Sequence, residues 1–319
     1  MSGIVGHLTY ALLSHRKALE RQLRCAAIIS QHLGHYLSGA YLGADIMTLP
    51  GGACPECGQE WGYCASIPKD CPDDGSPLTP YSLEHKEEIY PSVEIHNIFY
   101  GRTHLIFGWQ QDKHLSLKWD DLPEFLGACL ADTDSASGQA YVLGFMSHLV
   151  GDSMIKSFQP GLDLYLLNGT YTPENRPIQD LFTFHEIGIG ELAVDWPSLM
   201  ESVVATPVQT VQAHYMRCTE PCGKLAESFP EGWRPKLESL LMNVLAENRR
   251  YQRIRNARLL DELELTNGPD GFECDPGLST TARGLKYREM LSMCREAGFR
   301  SALETIAVET AEVFESASS

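Results

Sequence analysis

Apolar residues recur at helical spacing along much of the chain, and one stretch carries them on nearly every face. Residues 139–158 (QAYVLGFMSHLVGDSMIKSF) place Leu143, Phe145, Met146, Leu149 and Val150 around the circumference, which predicts a helix buried on several sides. Two polar residues sit in that stretch, His148 and Asp152. They are four apart, so both project from one helical face, which Tyr141 and Gly144 extend towards the N-terminus. A histidine and an aspartate inside a core need partners. The pair reads either as a hydrogen-bonded core histidine or as two metal ligands.

The same periodicity predicts a helix from residue 4 to about 38, with Leu8, Ala11, Leu12, Ala18, Leu19, Leu23 and Ile28 inward and His15, Arg16, Lys17, Glu20 and Arg21 on a wetter face. Residues 39–48 form a short apolar element that contains Asp45. Residues 115–131 predict a helix with an acidic start, and residues 132–138 a loop whose Ser and Asp side chains can cap the central helix. That helix stops near Pro160-Gly161. A further helix is expected within 179–205, where Glu191 and Asp195 fall four apart and so on one face. Helices are also expected over 233–265, 281–297 and 301–316, with a turn-rich linker at 268–276. No internal repeat stands out and strand signals are sparse. The fold class is mainly α, with a metal-binding helical core over 1–200 and a helical C-terminal extension over 201–319 packed on it.

Composition narrows the partners. Acidic residues number 42 against 25 basic ones, a formal charge of −17. Such a surface has no excess of Lys or Arg to neutralise phosphates, so duplex nucleic acid and anionic membrane are not expected. A phosphate-bearing substrate remains compatible if metal ions supply local positive charge. No stretch has the length of a membrane span, and MSGIVGHLTYALLSHRK has neither a basic leader nor a small-residue cleavage site, which reads as a cytoplasmic start.

Ten cysteines are many for a cytoplasmic chain, and four of them fall within 54–71. They lie in a Pro/Gly/Cys-rich loop, residues 49–82, that is unusually long to stay structureless inside a domain without a staple. Cys54, Cys57, Cys64 and Cys71, spaced C-x2-C-x6-C-x6-C, are expected to supply it as ligands of one structural zinc.

His7, Asp45, His104, His148 and Asp152 all lie in apolar surroundings and come from successive elements. The segments GHLTYALL, SGAYLGADI, RTHLIFGW and AYVLGFMSHLVGDS, in this order, resemble the zinc-dependent phospholipase C / S1-P1 nuclease superfamily over about residues 1–200. The resemblance implies a multi-helical bundle of that type. It implies one ion held by His148, His104 and Asp45, and a second reached by a bridging Asp152 and by His7. It also implies Asp45 as general base. The stretch after Asp152, SMIKSFQPG, has no histidine for a third ion. His185 and Glu191 in FHEIGIGELAVD are further candidate ligands, so two or three zinc ions are expected, with iron or manganese compatible with the same donors. Arg102, beside His104, either meets a substrate phosphate or makes a surface ion pair.

The expected activity is hydrolysis of a phosphoester, a phosphodiester or a phosphorylated small molecule, by metal-activated water. Two other readings use the same residues. One is a non-haem di-iron oxygenase-type enzyme, and the other is a non-catalytic scaffold whose site has decayed.

Overall fold

The computed structural model describes residues 4–45, 52–57, 60–61, 70–80, 119–155, 179, 181–207, 260, 263, 266–268, 271–273 and 287–317. These are mostly helical. The helices are α1 (Ile4–Glu20), α2 (Arg24–Gln31), α3 (Leu33–Asp45), α4 (Leu122–Ala131), α5 (Ala136–Ile155), α6 (Trp196–Ala205), α7 (Tyr287–Glu296) and α8 (Phe299–Ala317). A π-helical segment, Thr183–Ile189, precedes α6. The predicted helix over 233–265 lies outside the described residues except at Leu260 and Leu263.

The apolar stretch opened on above is α5. Every residue described from Ala140 to Gly151 is buried, as expected of a helix surrounded by protein. It begins three residues earlier than its pattern predicts. Ser135 sets the start, its Oγ accepting from the Gly138 amide at 3.1 Å. Around it pack α1, α3, α4 and α8.

The tightest of these contacts is with α3. A methyl group on Gly144 would lie 1.8 Å from the carbonyl oxygen of Tyr36, and one on Gly39 would lie 2.1 Å from that of Tyr141. The two backbones touch there, with no side chain between them. The Tyr36 hydroxyl then crosses to α1 and donates to Ala11 O at 2.8 Å. Burial pushes that phenol far above its ordinary pKa range.

The single helix predicted over 4–38 is three. At the end of α1, Leu23 N bonds to Ala18 O (2.9 Å) and Gln22 N to Leu19 O (3.0 Å), with Gln22 at φ 55°. This is a Schellman ending, in which the left-handed position usually goes to glycine. Here it is a glutamine, so the break leaves no glycine signal. The short apolar element predicted over 39–48 continues α3 instead of standing alone. The break between α7 and α8 is more visible, because Gly298 (φ 66°) occupies the same position.

The last helix joins the core. Phe299, Leu303, Ile306, Ala307 and Phe314 belong to the same buried cluster as Leu8, Leu13, Phe145 and Leu149. At the wet end of α1, Lys17 pairs with Glu304, and Arg21 pairs with Glu312 (3.2 Å) and Glu315 (3.3 Å).

Strands are short. β1 (Gly52–Ala53) pairs antiparallel with β2 (Glu60–Trp61) on one side and β3 (Thr79–Pro80) on the other. The predicted linker at 268–276 holds a hairpin of β4 (Thr266–Gly268) and β5 (Gly271–Glu273). No helix among the described residues is long and apolar enough to cross a membrane.

The Gly144 contact predicts an asymmetry between glycines. Gly144→Ala should destabilise the protein by roughly 2–3 kcal/mol in urea denaturation, the clash outweighing the gain of about 1 kcal/mol in helix propensity. Gly127→Ala, whose methyl group would meet only Ala317 O at 3.7 Å, should be neutral or stabilise by up to about 1 kcal/mol.

Candidate metal centres

Among the described residues, side chains of metal-ligating type come together in two places. The first is built where α1 crosses α5. His7 and His148, 141 residues apart in sequence, bring their Nδ1 atoms to 3.0 Å. Both are buried, at 3 % and 1 % exposure. Their ring centroids are 4.4 Å apart with the planes tilted by 38°. Phe145 stacks on His148 from one side and Tyr10 meets His7 edge-on. The crossing is close because residue 151 is glycine: a methyl group there would sit 2.6 Å from the Tyr10 ring.

At 3.0 Å the two nitrogens can share one proton, with one ring donating and the other accepting. The separation also suits a shared cation. Two imidazole nitrogens bonded to one tetrahedral zinc lie about 3.3 Å apart, given bonds of about 2.0–2.1 Å. In donor type and spacing the pair therefore fits a metal.

Asp45 is the last residue of α3, and Asp152 follows His148 by four residues in α5. The α3–α5 contact thus joins the helices that carry both carboxylates. The side chains of Asp45 and Asp152, and the whole of Arg102 and His104, lie outside the described residues.

The structure places His185 and Glu191 in other company. His185 stands in the π-helical segment, with its Nε2 donating to Leu263 O at 2.7 Å. A carbonyl can only accept, so Nε2 carries the proton. Burial lowers the pKa of this ring. Glu191 is gripped by two arginines. Arg300 donates to both its oxygens, Nη2 to Oε1 at 2.6 Å and Nε to Oε2 at 2.8 Å, and Arg16 Nη1 donates to Oε1 at 2.6 Å. Arg300 first, then Arg16, hold its carboxyl below the usual range. The expected shared face of Glu191 and Asp195 is not formed, because the chain turns between them. Asp195 caps α6 instead, its Oδ1 accepting from the Ser198 amide at 3.3 Å and Oδ2 from the Ser198 hydroxyl at 2.6 Å.

The second group lies in the cysteine-rich segment that follows α3. Cys54, Cys57, Cys71 and Asp74 each offer a donor atom, and all four atoms lie within 4.8 Å of one another, so the cluster can bind a metal ion. Cys54 follows β1 directly. The Cys57 amide points at Cys54 Sγ (3.4 Å), and Cys57 Sγ is 3.7 Å from Cys71 Sγ. A disulfide needs about 2 Å, so these two sulfurs are not bonded to each other. The tight turn after Cys71 uses Gly75 at φ 74°, with Gly75 N bonding to Cys71 O (2.8 Å) and Cys71 N to Ser76 O (2.7 Å). Cys25 and Cys294 differ in kind. Burial among apolar side chains raises their thiols to about 11 and about 12, the reverse of what a thiolate ligand needs.

Three of the four cysteines expected to form the zinc site are therefore together. Cys64 lies outside the described residues, and Asp74 was not expected. A signal for it was present in the sequence. C-P-E-C-G at 54–58 and C-P-D-D-G at 71–75 share the pattern C-P-x-x-G, with Asp73 in the place of Glu56 and Asp74 in the place of Cys57. Counting cysteines alone hides this short repeat.

The double grip on Glu191 predicts a pH-dependent contribution to stability. Glu191→Gln should cost about 1 kcal/mol at neutral pH, less at high salt. A carboxyl held low in the folded state stabilises above its unfolded pKa of about 4.3 and loses that effect as pH falls through the folded value. Denaturation of wild type and variant should therefore differ at pH 7 and converge only once the pH has fallen below the lowered folded-state pKa, with metal content the same in the two proteins at pH 7.

No family model, no curated protein and no solved structure matches this chain.

Proposed function

We propose that this chain is a metal-dependent phosphoesterase with its centre at the α1–α5 crossing. One observation carries the reading: two buried imidazoles from opposite parts of the sequence meet nitrogen to nitrogen at 3.0 Å. The sequence order of His7, Asp45, His104, His148 and Asp152, and its resemblance to the zinc-dependent phospholipase C / S1-P1 nuclease superfamily, support it.

In this reading those five residues hold two ions, zinc by preference, and His7 and His148, which the resemblance gives to different ions, share one of them. Bound divalent ions would supply the positive charge a phosphoester needs in so acidic a protein and would acidify a water molecule. The chain's own residues do the rest. His7 and His148 are fixed by aromatic packing, so their nitrogens need little reorganisation. Asp45 takes the proton of the attacking water as general base. Arg102 meets a phosphate oxygen. The substrate is a phosphodiester or a phosphorylated small molecule. In the same reading, the ion of the cysteine-rich segment is a structural zinc.

The test joins metal analysis to activity on protein purified without added metal. Generic phosphomonoesters and phosphodiesters should be hydrolysed by wild type. His148→Ala, His7→Ala and Asp152→Asn should each lower the rate at least about a hundredfold, as expected when a metal-activated nucleophile is lost. Their centre should lose its ions while the cysteine-rich segment keeps its own. Equal rates in wild type and variants, or stoichiometric iron in place of zinc, would sink the proposal.

A further inference from the structure

Four features of the cysteine cluster bear on what completes its coordination. The two C-P-x-(C/D)-G segments place Cys54 and Cys71 as a buried inner pair, and Cys57 and Asp74 as an exposed outer pair. Asp74 therefore stands where a fourth thiol would stand by the symmetry of the repeat. Its two oxygens are also differentiated. Oδ1 accepts from the Ser76 amide at 2.8 Å, while Oδ2 lies 3.2 Å from Cys54 Sγ, on the cluster side. A carboxylate that binds a metal through one oxygen is commonly held by a hydrogen bond at the other. Finally, tetrahedral zinc takes four donors, and four are already gathered without Cys64.

We infer that the zinc of the cysteine-rich segment is held by Cys54, Cys57, Cys71 and Asp74, with the Asp74 carboxylate replacing a fourth thiolate and acting as the ligand at which the site opens. This rests on reading the cluster as a zinc site. Three thiolates and one carboxylate neutralise the ion to the same net charge as four thiolates. The difference is in softness, since zinc in a sulfur-rich site holds an oxygen donor less firmly. The weaker ligand is on the exposed side, so exchange proceeds through Asp74 and the inner cysteines keep their grip.

The experiment uses the full chain, loaded with cobalt by growth in cobalt medium. The near-ultraviolet sulfur-to-cobalt charge-transfer band counts thiolate ligands, and nitrogen and oxygen donors do not contribute to it. Wild type should show the band. Cys64→Ser should leave it unchanged, Cys71→Ser should lower it by about a third or abolish it, and Asp74→Cys should raise it by about a third, in proportion to the sulfur count. Asp74→Ala should keep three sulfurs' worth of band while zinc is lost to a competing chelator at least about tenfold more readily, and Asp74→Cys should reverse that loss. A band lowered by Cys64→Ser, with Asp74→Ala indistinguishable from wild type in both readouts, would give the fourth position to Cys64 and overturn the assignment. Absence of the band from the wild-type protein would overturn the zinc site itself. Loss of phosphoesterase activity leaves these spectra untouched, so the two readings fail separately.

Discussion

Everything near the histidine pair depends on two helices touching backbone to backbone. Gly39 and Gly144 remove the side chains that would otherwise hold α3 and α5 at the usual 8–10 Å between axes. Close approach lets the Tyr36 hydroxyl reach across to Ala11, and that bond fixes α1 against the same pair. With α1 fixed, and Gly151 leaving room for the Tyr10 ring, His7 has one place to go, beside His148. A side chain at Gly39 or Gly144 would push α3 and α5 apart, and one at Gly151 would strike the Tyr10 ring of α1 beside the histidine pair.

The protein keeps two donor chemistries apart. Imidazoles gather inside the helical core, where apolar packing fixes their orientation and needs no loop to hold it. Cys25, Cys129 and Cys294 pack singly in the helical core, whereas three thiols, Cys54, Cys57 and Cys71, cluster in a short three-stranded ribbon with few apolar residues to bury. Among its described residues only Cys54, Cys71 and Leu78 pack together. A segment of that kind cannot offset its own conformational entropy by burial, so cross-linking through a metal is what would order it. The helical core has no such need, and ions there would serve chemistry and not folding.

The α5 helix and its histidine were legible because burial on all sides writes a run of apolar residues that few other structures produce. The end of α7 was legible because Gly298 takes the left-handed position. The end of α1 was not, since Gln22 takes the same position and its side chain gives no hint of it. Glu191 and Asp195 look alike in sequence, two carboxylates at helical spacing. What separates them is long-range: Arg300 grips the first from α8, and Asp195 closes the first turn of the next helix. Asp74 was hidden for a different reason. Searching for sulfur favours Cys64, and only the repeated turn Cys-Pro-x-x-Gly reveals which residue occupies the equivalent position.

The ion pairs that fasten α8 to α1 join residues as far as 294 positions apart. Closing so long a loop costs about 5 kcal/mol in chain entropy on the (3/2)RT ln n scaling, before any constant. Such a closure becomes favourable only once much of the core is ready to receive α8. Contacts of that range make folding slow. The helix that carries His7 takes one of its walls from α8, across almost the whole described length of the chain. The histidine pair is thus a product of the assembled core: residues 4–155 supply both rings, and α8 supplies part of the enclosure around the helix that carries one of them.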